Sequence, residues 1–214
     1  MARNIFRGLG IALVTPFTPD GQVDYKSLKR LVEYQIDNGA DFLCILATTG
    51  ETPCLTQDEK EKITQLVKDV NHGRLPILKG CGGNNTAAVV EELRTADWSG
   101  IDGILSVCPY YNKPSQEGLY QHFKAIAEAS PLPVVLYNVP GRTGINLKPE
   151  TTVRLANDCE NIVAVKEASG SLEQVDEIIK NKPQRFDVLS GDDALTFSMV
   201  ARGAAGVISV IGNS

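Results

Sequence analysis

Short, largely apolar runs alternate along the chain with segments whose apolar residues recur every three or four positions. The runs fall at 9–14, 42–47, 75–79, 103–108, 134–138, 162–165, 186–190 and 206–210. They show little in–out alternation, as expected of strands covered on both faces in a parallel sheet. Between them, Leu28, Leu31, Val32 and Ile36 mark one side of a helix that follows Asp24 and stops at Gly39. Thr56-Gln57-Asp58-Glu59 is a capping box ahead of Ile63, Leu66, Val67 and Val70. Further helices are predicted around Val89, Leu93 and Ala96, around Leu119, Phe123 and Ile126, and over 149–157. Ser171-Leu172-Glu173-Gln174 reads as a second capping box, before Val175, Ile178 and Ile179, and a nearly all-apolar helix runs over 194–201 to a stop at Gly203.

Eight strands joined through single helices require crossover connections and therefore a parallel sheet, and eight such units close an α/β (β/α)8 TIM barrel. One domain over 1–214 is expected. An open doubly wound sheet is the rival. Its dinucleotide turn would have to be Gly80-Cys81-Gly82-Gly83-Asn84-Asn85, which carries Asn where the last fingerprint glycine belongs. The residues stop at Ser214, just past the eighth strand, whereas such barrels run to about 250 residues, so the barrel is expected to be truncated and to lack its last helix.

Composition narrows the partners. A net charge of −5, a pI near 5.1 and no basic stripe argue against nucleic acid and anionic membrane surfaces. No apolar run reaches membrane-spanning length and the first residues hold no signal-like segment, so a cytoplasmic location is expected. The five cysteines are odd in number and never spaced C-x-x-C, which suggests neither a disulfide framework nor a zinc site. His72 and His122 both fall in helical patterns or at their ends and are expected at the surface, so no metal centre is predicted.

Candidate chemistry gathers at the carboxyl ends of the strands, where barrels of this kind place their sites. Strand two ends in Thr48 and Thr49, strand four in Tyr110 and Tyr111, strand five in Tyr137 with Arg142 just beyond, strand six in Lys166, strand seven at Gly191 and strand eight at Ile208. Burial of a lysine at the end of an apolar run favours its neutral form and lowers its pKa, and a neutral amine attacks a carbonyl to form a Schiff base. Hydroxyls and one arginine around it suit a keto acid. Each residue also has a plainer use. The threonines are common turn residues, the Tyr110-Tyr111 pair is compatible with rim packing, and Arg142 with an ordinary loop charge. Lys166 could also snorkel or pair with Glu167, and Lys79, a second lysine at a strand end, is its rival; spacing does not separate the two.

The motifs taken together point further. Thr48-Thr49-Gly50-Glu51 with Leu55, the runs 109–114 and 137–144, Lys166-Glu167-Ala168, Ser190-Gly191-Asp192-Asp193 and 206–210 resemble the dihydrodipicolinate synthase family. That family belongs to the pyruvate-dependent class I aldolases, which include N-acetylneuraminate lyase. The resemblance spans the chain from about Gly8 to its end. It implies a lyase of lysine and diaminopimelate biosynthesis that condenses pyruvate with L-aspartate 4-semialdehyde. Lys166 would form the Schiff base with pyruvate, with no metal or organic cofactor. Tyr137 would move protons, and Thr49, supported by Thr48, would link it to Tyr111 reaching in from a neighbouring subunit. Thr49 and the backbone near Gly191 and Ile208 would hold pyruvate, and Arg142 the carboxylate of the aldehyde. A homotetramer, a dimer of dimers, is implied too. The remaining alternatives are another pyruvate aldolase acting on a sugar-acid aldehyde, or a non-catalytic barrel that binds a keto acid. Two departures stand out: the family's C-terminal helical segment is missing, and Lys60 and Ala88 stand where lysine-inhibited members carry a histidine and a glutamate beside counterparts of Asn84 and Tyr110, so inhibition by L-lysine is expected to be weak or absent.

Overall fold

In the computed structural model, which describes residues 5–214, the strands are β1 Gly8–Ala12, β2 Phe42–Ile45, β3 Ile77–Gly80, β4 Gly103–Val107, β5 Val134–Asn138, β6 Ile162–Glu167, β7 Asp187–Ser190 and β8 Gly206–Ser209. They pair in sequence order, all parallel, and β8 closes on β1. Helices α1 Tyr25–Asp37, α2 Gln57–Asn71, α3 Thr86–Thr95, α4 Gln116–Ala129, α5 Pro140–Thr143, α6 Pro149–Asp158, α7 Leu172–Asn181 and α8 Thr196–Ala201 lie in the connections. The expected (β/α)8 barrel is the fold observed, and the open sheet is excluded by the β8–β1 ladder.

Two apolar layers sandwich the strands. Phe42, Cys44, Leu78, Leu105, Val135, Ala164, Leu189 and Ile208 fill the interior, while Leu43, Ile45, Ile104, Leu136 and Val165 face the helices. The period of two in a strand sets this division. It places Tyr137 of β5 on the inward set with Val135, and Asn138 on the outward set with Leu136. By the same parity Lys166 of β6 shares the inward side with Ala164, and Glu167 the outward side with Val165. The amino-terminal end of the barrel is plugged by Phe6 and Phe42, edge to face at 5.5 Å. Gly10 makes room for that plug, because a Cβ there would lie 2.2 Å from the Phe42 ring.

Departures from expectation are local. The capping box at Thr56 forms in full, but at Ser171 only half does: Ser171 accepts from the Gln174 backbone N–H, and the Gln174 side chain turns inward instead. The helix expected over 194–201 begins as a 3₁₀ turn at Asp193–Leu195 before α8, and α5 was not anticipated. After β8 the chain makes a 3₁₀ turn at Ile211–Asn213. Phe197, Val200, Val210 and Ile211 on this side are exposed apolar residues.

His72 caps α2 at the surface as expected, but His122 does not lie at the surface. It lies on the same side of α4 as Leu119, Phe123 and Ile126 and is buried, with Nδ1 sharing a hydrogen bond with Thr86 Oγ1 at 2.8 Å. Burial pushes its pKa down to about 4. Below the unfolded value of about 6.5 the unfolded chain takes up a proton that the native state refuses, so stability falls with pH and the loss levels off below the native value. Urea unfolding at pH 7 and pH 4.5 should show a loss of roughly 2–3 kcal/mol from this group, absent in His122→Asn. An identical pH dependence in the two proteins would contradict the assignment.

Candidate active site

At the carboxyl-terminal end of the barrel a cleft of about 600 Å³ opens between the strand ends. Thr48, Thr49, Tyr137, Arg142, Lys166, Gly191 and Asp193 are among the residues lining it. The Lys166 side chain is 2% exposed, and its Nζ lies 4.5 Å from the centroid of the Tyr137 ring. Their juxtaposition follows from the sheet, since Tyr137 and Lys166 are direct partners in the β5–β6 ladder.

Electrostatics act against charge on the amine. Burial is the largest influence and lowers the Lys166 pKa; the Arg142 guanidinium pushes the same way. Cys44 and Asp193 act in the opposite sense. The Cys44 thiol is itself pushed up to about 11 by burial, so at neutral pH it is uncharged and gives Lys166 no counterion. That leaves Asp193 as the acidic group acting on the amine at neutral pH. Burial raises the Asp193 carboxyl, yet the Ser209 hydroxyl, the Val210 and Ile211 N–H groups at 2.9 and 3.1 Å, and Lys166 together hold it below its ordinary value.

Tyr137 is buried, which raises its phenol, while Arg142 and a side-chain hydrogen bond with Thr48 pull it down. A phenol so placed can hand protons to and from groups bound at the amine. Thr48 and Thr49 begin a 3₁₀ turn after β2, in a stretch where Leu46 and Glu51 both adopt left-handed φ, of 51° and 52°. Strained backbone of this sort clusters at functional sites. Arg142, on the single turn of α5, stands exposed at the rim.

Gly191 is explained by close approach. A Cβ there would lie 2.8 Å from Ala168 Cβ and 3.0 Å from Lys166 Cγ, so only glycine leaves the lysine stem its space.

The cleft thus gathers Thr48, Thr49, Tyr137, Arg142, Lys166 and Gly191, but not the other three residues singled out from sequence, of which Tyr110 is exposed beside it. Tyr111, which the resemblance has reaching in from a neighbouring subunit, is 88% exposed with φ of 71° and does not line this cleft, and Ile208 is buried in the barrel interior while Val210 and Ile211 take up the lining. Lys79 is separated from Lys166 by facing the helix layer, with its Nζ 5.2 Å from the Trp98 ring centroid. Asp193, which lines the cleft, is not among the residues expected from sequence although it stands within the Ser190-Gly191-Asp192-Asp193 motif at the end of β7; an acidic residue just past a strand end is the signal it carries.

Fold and geometry define a (β/α)8 barrel with a buried, charge-disfavoured amine beside a tyrosine at its catalytic face. The model of the dihydrodipicolinate synthetase family matches residues 5–214, and the chain belongs to that family. It is 60% identical over 214 residues to the 4-hydroxy-tetrahydrodipicolinate synthase of Phocaeicola vulgatus, covering all of this chain and 72% of that protein. Among solved structures, dihydrodipicolinate synthase from Thermotoga maritima superposes with a TM-score of 0.94 at 45% identity, over 98% of this chain and 72% of that one. The chloride-inhibited dihydrodipicolinate synthase from Acinetobacter baumannii, complexed with pyruvate, superposes with a TM-score of 0.93 at 44% identity, over 98% and 72% of the two chains.

Gly191→Ala should crowd Lys166 out of position and slow imine formation with a small keto acid roughly tenfold or more, read as the rate of borohydride trapping per folded molecule. A trapping rate equal to that of the parent would contradict the close-packing role.

Proposed function

We propose that this chain condenses pyruvate with L-aspartate 4-semialdehyde to 4-hydroxy-tetrahydrodipicolinate through a Schiff base on Lys166. The observation that carries the proposal is the buried amine facing Tyr137 across a cleft with Arg142 at its rim. Membership of the family and the pyruvate complex of the Acinetobacter baumannii relative support it.

In this reaction the neutral Lys166 amine adds to the keto carbon of pyruvate, and the carbonyl oxygen leaves as water to give the imine. Tyr137 relays the protons of that exchange and of the loss of a methyl proton that makes the enamine, with Thr48 and Thr49 orienting its hydroxyl. The enamine carbon attacks the aldehyde. The amine of the semialdehyde then displaces Lys166 from the imine carbon, closing the ring and freeing the enzyme. Thr49, the backbone near Gly191, and the chain just past Ile208, where Val210 and Ile211 line the cleft, hold the pyruvate carboxylate. Arg142 holds the carboxylate of the aldehyde with a planar, charged fork, which suits a short acid better than a sugar chain. No metal or organic cofactor takes part.

The proposal extends to assembly and setting. Tyr111 completes the proton relay of a neighbouring subunit in a homotetramer built as a dimer of dimers, which gives a reason for so exposed and conformationally strained a tyrosine. The enzyme works in the cytoplasm, and among the described residues no helix is long and apolar enough to cross a membrane. With Lys60 and Ala88 at the positions named above, L-lysine inhibits it weakly or not at all.

Borohydride reduction in the presence of pyruvate, followed by peptide mass analysis, should place the adduct on Lys166 and yield none in Lys166→Ala. Absence of an adduct in the parent protein would favour a keto-acid-binding barrel without chemistry. In a coupled assay Arg142→Ala should raise the KM for L-aspartate 4-semialdehyde by roughly tenfold to a hundredfold, the loss of one charged hydrogen-bonding partner, with pyruvate trapping little changed. An unchanged KM would point to a different aldehyde.

A further inference from the structure

Behind the catalytic face, on the outward side of the same two strands, lies a buried carboxylate that the proposed reaction does not use. Glu167 is 1% exposed and Asn138, its ladder partner, 0%. Its two oxygens accept from Asn138 Nδ2 at 3.2 and 3.1 Å, from Gln174 Nε2 at 2.9 Å and from the Ser169 backbone N–H at 2.7 Å. None of the salt bridges among the described residues reaches it. Burying a carboxylate without a cation is costly unless its hydrogen bonds are complete, so a residue of this kind calls for a reason beyond packing.

The orientation of each neighbour supplies one. Asn138 Oδ1 is occupied by the Leu147 N–H at 2.9 Å, which turns its amide NH₂ toward Glu167. Gln174 Oε1 is occupied by Asn146 Nδ2 at 2.8 Å, which turns its NH₂ toward Glu167 as well. Every group aimed at position 167 is therefore a donor, and only an acceptor-only side chain satisfies them all. Through these contacts Glu167 ties together the ends of β5 and β6, the first turn of α7, and the 144–147 loop that follows the α5 turn carrying Arg142.

We propose that Glu167 is a positioning residue: its carboxylate, gripped by Asn138, Gln174 and Ser169, fixes the register neighbours Tyr137 and Lys166 against each other and anchors the loop that sets Arg142. The role rests on the imine chemistry proposed above. Tyr137 and Lys166 each precede a member of the network by one residue and point to the opposite face, so a shift at Asn138 or Glu167 is transmitted directly to them. Asn146 forms the outer end of the network, toward Arg142.

Two variants of the full chain test this. Glu167→Gln keeps size and shape but sets an NH₂ group against either the Ser169 N–H or the Gln174 NH₂. It should slow pyruvate trapping per folded molecule by roughly tenfold or more and lower kcat in step, whereas a purely structural role would reduce the folded fraction and leave the per-molecule rate unchanged. Asn146→Ala, only half-buried, should raise the KM for L-aspartate 4-semialdehyde severalfold while pyruvate trapping stays near the parent rate. A parent protein that forms no adduct on Lys166 overturns the imine chemistry and this role together. A trapped parent with Glu167→Gln at the parent rate overturns the positioning role alone. If Glu167→Gln does not fold, the Asn146→Ala KM decides: a rise supports the role, and an unchanged KM overturns it.

Discussion

The site depends on taking a single ammonium group out of water. Lys166 lies inside the barrel at the end of β6, where desolvation works against its charge and the Cys44 thiol, neutral for the same reason, offers no counterion. An uncharged amine at neutral pH is what a carbonyl requires of a nucleophile. The barrel shifts the amine toward that form by topology: strand alternation turns residue 166 inward, the β5–β6 register sets Tyr137 beside it, and the absence of a side chain at Gly191 leaves the lysine stem room.

The opposite faces of the same strands carry a different kind of polarity. Asn138 and Glu167 point away from the cleft into a closed set of hydrogen bonds that also takes in Asn146 and Gln174. Inward lies a poorly solvated amine beside a tyrosine; outward lies a network of hydrogen bonds that joins the strand ends to α7 and the loop before α6. Rigid support behind a reactive pair is what catalytic precision demands, because small displacements of reacting groups are expensive in rate.

The barrel was legible because eight apolar runs separated by helical periodicities admit few topologies. The same property hid the phase of each strand. Where both faces of a strand are buried, the hydrophobic pattern does not say which residues point inward, so spacing left Lys79 and Lys166 equivalent, and only the family motifs and then the observed parity told them apart. Polar residues inside the helix layer were the other blind spot. Gln174 was read as half of a capping box when its amide serves Glu167, and His122 was placed at the surface although it sits three residues after Leu119, on the apolar side of α4. Tyr111 is a different case: the resemblance has it reach in from a neighbouring subunit, and within one chain it stands in solvent.

The most direct test is the titration of Lys166 itself, followed by NMR of the protein labelled with ¹³Cε-lysine, with Lys166→Ala identifying the signal. Burial as the governing cause predicts a midpoint clearly below the ordinary 10.5 while the exposed lysines titrate near it. A midpoint for Lys166 at or above 10.5 would contradict the claim that burial in the barrel disfavours charge on this amine.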